Sequence, residues 1–134
     1  MDRQRLGDWG TFLFATAAAI GVIVQVFLIG AFIFGEDSLD LHKECGKVVH
    51  GLYVLTFIAA IIGAWPNWRR TAWPFGLAVL GSIQAFLAGG GDDVSGWVHA
   101  FHAALVPLVF LIAVWISWNA RGVLGKRDTA EAPG

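Results

Sequence analysis

The chain has 134 residues, 57% of them hydrophobic and only 14% charged, with ten acidic against nine basic residues and a net charge of −1. A soluble domain carries roughly 25% charged residues, so a water-exposed surface on all sides is excluded, and the absence of a basic stripe excludes nucleic acid as a partner. The single cysteine, Cys45, rules out an intrachain disulfide, and no C-x-x-C-H run is present for covalent haem attachment.

The charges fall in clusters and leave four charge-free stretches: 27 residues from Trp9 to Gly35, 21 from Val48 to Trp68, 21 from Thr71 to Gly91 and 27 from Val94 to Ala120. Each reaches the roughly 20 residues that a helix needs to cross a bilayer. The first exceeds the roughly 7 to 15 residues of a signal-peptide core, so it reads as a retained span. The expected fold is all-α, an integral membrane four-helix bundle. Helices are predicted at about 9–34, 41–66, 72–90 and 94–120, forming a transmembrane domain over 1–125. Residues 126–134 read as a solvated cytoplasmic tail.

Seven of the nine bases precede the first helix, separate the second from the third, or follow the fourth. Bases near helix ends mark the cytoplasmic side, so both termini are expected there, in the inner (cytoplasmic) membrane of a cell, with the lipid bilayer as the first partner. The acidic connections Gly35–Asp40 and Gly90–Asp93 then face outward. All seven tryptophans lie near predicted helix ends, where an indole keeps its ring apolar and its N–H wet. Pro74 fits the first turn of the third helix.

The sequence repeats itself. The first helix carries Gln25-Val26-Phe27-Leu28-Ile29-Gly30 and the third carries Gln84-Ala85-Phe86-Leu87-Ala88-Gly89, both Gln-x-Phe-Leu-x-Gly. Leu41-His42 and Phe101-His102 follow at 17 and 18 residues past the respective glutamines. The chain therefore reads as two related helix hairpins, with any site at the interface between the halves.

All four histidines, His42, His50, His99 and His102, lie on the second and fourth helices towards their outer ends. Polar groups in a membrane normally face the bundle interior, and imidazole is the commonest protein ligand for iron, copper and zinc. A b-type haem held by one histidine from each helix is the expected use. Depth relative to Arg69 and Arg121 pairs His50 with His102, each 19 residues away; the repeat pairs His42 with His102, leaving His42 about 12 Å further out by helical rise. His99, one turn from His102, is the remaining candidate. Each histidine also has a plain reading as an interfacial side chain.

Gln25 and Gln84 are amides that need partners within lipid; they either line the site as cofactor-binding groups or join helices. Gly30, Gly46, Gly51 and Gly89 allow close helix approach, and Pro107 removes an N–H one turn below His102, where a kink would open a pocket. No nucleophilic triad, paired carboxylates or phosphate-binding loop is evident.

On these motifs, over roughly residues 20 to 115, the chain resembles small bacterial four-helix membrane proteins and, more distantly, one half of haem A synthase. The resemblance implies a haem site between the second and fourth helices, with His42 and His102 at the matching positions. The chain departs from the synthase in having one such half and in lacking the Glu-x-x-His of its second helix, since Glu44 follows His42. Haem A synthesis is therefore not implied. The expected function is haem-based electron transfer or ligand sensing, with a redox partner or a larger membrane complex as further partner. The alternatives are a cofactor-free accessory or scaffold subunit, and a histidine-lined copper or zinc site, with His102, His42 and His50 as metal ligands.

Overall fold

The structure, a computed structural model, describes residues 2–36, 38–89 and 95–131, with side chains as far as residue 126. Four helices account for it: α1 (Arg3–Ile33), α2 (Leu39–Ala64), α3 (Trp68–Ala88) and α4 (Gly96–Glu131). Each is long and apolar enough to span a bilayer. The outside is as apolar as the inside, with Phe27 72% and Phe86 82% exposed. Such a surface is stable only against lipid, and the chain is consistent with a multi-pass membrane protein.

The helices differ in extent from the sequence expectation for identifiable reasons. α1 starts at Arg3 because Asp2 caps it, its carboxylate accepting from the Arg5 N–H at 2.6 Å. It stops at Gly35, which adopts φ +79°. There the Glu36 N–H donates to the Ala31 carbonyl and the Gly35 N–H to that of Phe32, a Schellman closure that needs a glycine in the left-handed region. α3 begins at Trp68, so Pro74 lies inside the helix and not in its first turn. The missing N–H leaves the Arg70 carbonyl without its helical donor.

α4 runs unbroken through Pro107 and on to Glu131. Residues 126–131, expected as a tail, are therefore helical: with no proline or glycine from Lys126 to Glu131, nothing stops the helix where it leaves the hydrocarbon. The expected loop Gly90–Asp93, the expected start of the fourth helix at 94, and the end of the tail lie outside the described residues.

α1 packs on α2 and α4, and α3 on the same two, while the diagonal pairs hardly touch. The result is a ring in chain order, with α1 opposite α3 and α2 opposite α4. Neighbours are antiparallel: Gly7 near the start of α1 lies against Gly63 near the end of α2, and Gln25 late in α1 meets His42 early in α2. The middle is filled by Ala15, Ala18, Val22, Val49, Tyr53, Leu77, Val109, Ile112 and Ala113, among others.

The side of α1 facing the core is lined by small residues, Gly7, Thr11, Ala15, Ala18 and Ala19. Helices attract in lipid chiefly by close packing, which small residues permit. At one end the approach is backbone to backbone, since a Cβ on Gly7 would overlap the main chain of Gly63. Gly63→Leu is expected to force α1 and α2 apart, costing about 1–3 kcal/mol or more, which a denaturation series in detergent micelles measures. Gly76→Ala, at a glycine whose Cβ would meet open space, is expected to leave stability unchanged or slightly raised.

Candidate functional site

The core cluster stops short of the end where α1 and α3 finish. Its outermost members, partly buried ones included, are Val22 in α1, Cys45 in α2, Leu80 in α3 and Val106 in α4. Three or four residues beyond each of these, in order, stand Gln25, His42, Gln84 and His102. A polar layer thus caps the apolar one.

Helical register explains why these four turn inward. His42 is seven residues before buried Val49, and His102 seven before buried Val109; Gln25 is seven after buried Ala18, and Gln84 seven after buried Leu77. Seven residues return a helix to within about 20° of the same face. His50, eight residues from His42, falls about 80° off that line. All four members of the layer are partly buried.

Two equivalent hydrogen bonds hold the layer. His42 Nδ1 lies 3.2 Å from the backbone oxygen of Gln25, and His102 Nδ1 lies 2.9 Å from that of Gln84. A carbonyl oxygen only accepts, so Nδ1 carries the hydrogen in both rings, and the neutral imidazole keeps its lone pair on Nε2. The Gln25 side chain lies over Gly46, one turn on from His42, where a Cβ would press on Nε2 of the amide. Its Oε1 is buried without a hydrogen-bond partner.

The remaining candidates fall outside this layer. His50 is two turns deeper, with Nδ1 buried and unpartnered. Depth relative to Arg69 and Arg121 pairs His50 with His102 and the repeat pairs His42 with His102; in the structure it is His42 and His102 that make the matching bonds to Gln25 and Gln84. His99 is exposed, one turn beyond His102. Of the four glycines expected to allow close helix approach, Gly46 alone packs closely against another helix: Gly30 and Gly51 face open space, and Gly89 meets carbonyls of its own helix. No group of three or more histidine, cysteine, aspartate or glutamate side chains with the spacing of a metal site occurs among the described residues.

The opposite end carries a second polar feature that the sequence reading did not single out. Asp8, with 3% of its side chain exposed, pairs through Oδ1 with Nη2 of Arg70 at 2.5 Å. This joins α1 to α3, the diagonal partners. An aspartate directly before Trp9, where the charge-free stretch begins, was the available signal. A cavity of about 200 Å³ opens beside the pair. Another, of about 360 Å³, runs between α1 and α4 past the hydroxyl contact of Thr16 with Ser117. Neither is lined by a histidine.

Comparison with known proteins adds one finding. Residues 25–91 match the model of DUF6220, a family of unknown function, and they make up half of the chain. The chain belongs to this family. No curated protein and no solved structure matches it. The family segment opens on Gln25, takes in His42, His50 and Gln84, and ends before His99 and His102.

Removing one partner of a buried ion pair strands the other and costs about 3–5 kcal/mol when both are fully enclosed. Arg70 keeps 33% of its side chain exposed, so Asp8→Asn is expected to cost less, about 2 kcal/mol. Asp8→Asn combined with Arg70→Gln is expected to recover part of that loss in the same unfolding assay, the coupling that a double-mutant cycle reads.

Proposed function

We propose that the protein is a small electron-transfer protein of the inner (cytoplasmic) membrane that holds a b-type haem between α2 and α4, with His42 and His102 as axial ligands. The observation that carries this reading is the pair of matching Nδ1-to-carbonyl bonds. A hydrogen bond at one ring nitrogen fixes the tautomer, raises the basicity of the other, and is the usual support of a metal-ligating histidine. The unpartnered Gln25 Oε1 in the same layer is a second mark of a group missing from the polar layer.

The donor set also favours haem over a bare ion. Zinc takes about four protein ligands, whereas a macrocycle brings its own four nitrogens and asks the protein for only two. Bound haem would supply a one-electron iron centre. The chain's part is to hold both imidazoles neutral and oriented, to keep water from the apolar layer beneath, and to set the haem's distance from the outer surface. With His42 and His102 both holding the group, the one-electron chemistry it would supply suits electron transfer.

The fold of this reading is two related hairpins, α1–α2 and α3–α4, each closed by one glutamine-to-histidine bond. Both termini are cytoplasmic, since Arg3, Arg5, Arg69, Arg70, Arg121 and Lys126 lie at one end of the bundle. Reporter fusions at the C-terminus should be active only on the cytoplasmic side; activity on the outer side would reverse the orientation.

Protein purified from haem-supplied cells is expected to show a Soret band that sharpens and shifts with dithionite. His42→Ala and His102→Ala should each abolish it, while His50→Ala and His99→Ala keep it. Loss with His50→Ala and retention with His42→Ala would transfer the axial role to His50. Colourless protein that co-purifies with a larger complex would support the scaffold reading, and stoichiometric copper or zinc without a Soret band a metal site.

A further inference from the structure

The cavity of about 200 Å³ at the Asp8 end is apolar over most of its lining but brings two arginines together. Asp8 and Thr11 line it from α1, Arg69 and Arg70 from the first turn of α3, and Trp115 and Asn119 from α4. Asp8 is already neutralised by Arg70, so the cavity retains one net positive charge from Arg69. Arg69 is exposed and forms no ion pair with the described residues. Arg70 uses one N–H on Asp8 and has four left of the five that a guanidinium carries. The positive end of the α3 dipole adds to the same field.

The exposed indoles of Trp73 and Trp115 flank this opening. Indoles of this kind settle at headgroup depth. Phosphate is the anion that paired guanidinium groups bind best, through parallel N–H bonds, and basic pockets between helices near the membrane surface are where anionic headgroups lodge.

We propose that this cavity binds a singly charged phosphate group, carried by an anionic phospholipid headgroup or supplied as the free ion. Arg69 and Arg70 supply the N–H donors, and Asp8 holds Arg70 in place. Nothing in this depends on the haem reading, since the two sites lie at opposite ends of the bundle.

The test uses the full chain in dodecyl maltoside micelles, which contain no phosphate. Dioleoylphosphatidylglycerol is added and the lipid retained per chain is counted by native mass spectrometry. Wild-type protein is expected to retain one lipid, and Arg69→Gln to weaken retention about tenfold or more. Arg121→Gln, which removes the same charge at the same end but lines only the α1–α4 groove, should change it less than twofold. In a parallel arm, sodium phosphate is titrated into lipid-free protein and thermal stability is followed. Stabilisation by phosphate that Arg69→Gln abolishes, without lipid retention, assigns the cavity to the free ion; retention without such stabilisation assigns it to lipid. The proposal is overturned if wild-type protein responds to neither probe, or if Arg69→Gln and Arg121→Gln behave alike in both arms.

Discussion

Two backbone oxygens organise the end of the bundle where α1 and α3 finish. An imidazole N–H within a membrane must find an acceptor, and the carbonyls of Gln25 and Gln84 provide one at the same height on α1 and α3. Each bond does three things together. It ties one helix to the next along the chain, it turns the ring toward the bundle, and it selects which nitrogen keeps a lone pair. A ring held only by packing would leave the tautomer open and the helices free to slide; a ring bonded through Nε2 would present the more hindered Nδ1.

The rest of the molecule is arranged around that constraint. Below the polar layer, the fully buried core is aliphatic apart from Tyr53, whose ring lies directly over Gly81, with half-buried Phe110 packed against it. Below that, α1 and α2 converge until their backbones touch at Gly7 and Gly63, and Asp8 reaches across to Arg70. Charge and close backbone contact are concentrated at one end, neutral polar groups at the other. A charged pair is tolerated near a membrane surface, where water reaches one partner, whereas deep in hydrocarbon it would have to be screened by protein alone.

Much of this was legible in the residues. Four charge-free stretches are enough to count the spans, because nothing but a helix or a closed barrel can cross hydrocarbon. The Gln-x-Phe-Leu-x-Gly repeat, with a histidine 17 or 18 residues on, picks out the partners that the structure brings together. The depth argument through Arg69 and Arg121 is the coarser guide for a physical reason: arginines reach along the membrane surface and locate it only to within a turn or two, while the seven-residue register of His42 on Val49 is fixed by the core. Helix ends were the least readable, since Asp2, Trp68 and Lys126 lie where a helix continues into water. The Asp8–Arg70 bond joins residues 62 apart, and no local pattern announces a contact between diagonal helices.

The unequal placement of glycine shapes the α1–α2 pair. At the charged end Gly7 and Gly63 bring the two main chains into contact, whereas toward the histidine end the same helices meet through side chains, Val49 over Gly21 and Gln25 over Gly46. The pair is therefore a wedge, thin where backbone meets backbone and wider where a side chain stands between. Small residues at one end of such a wedge set how far apart the helices stand at the other.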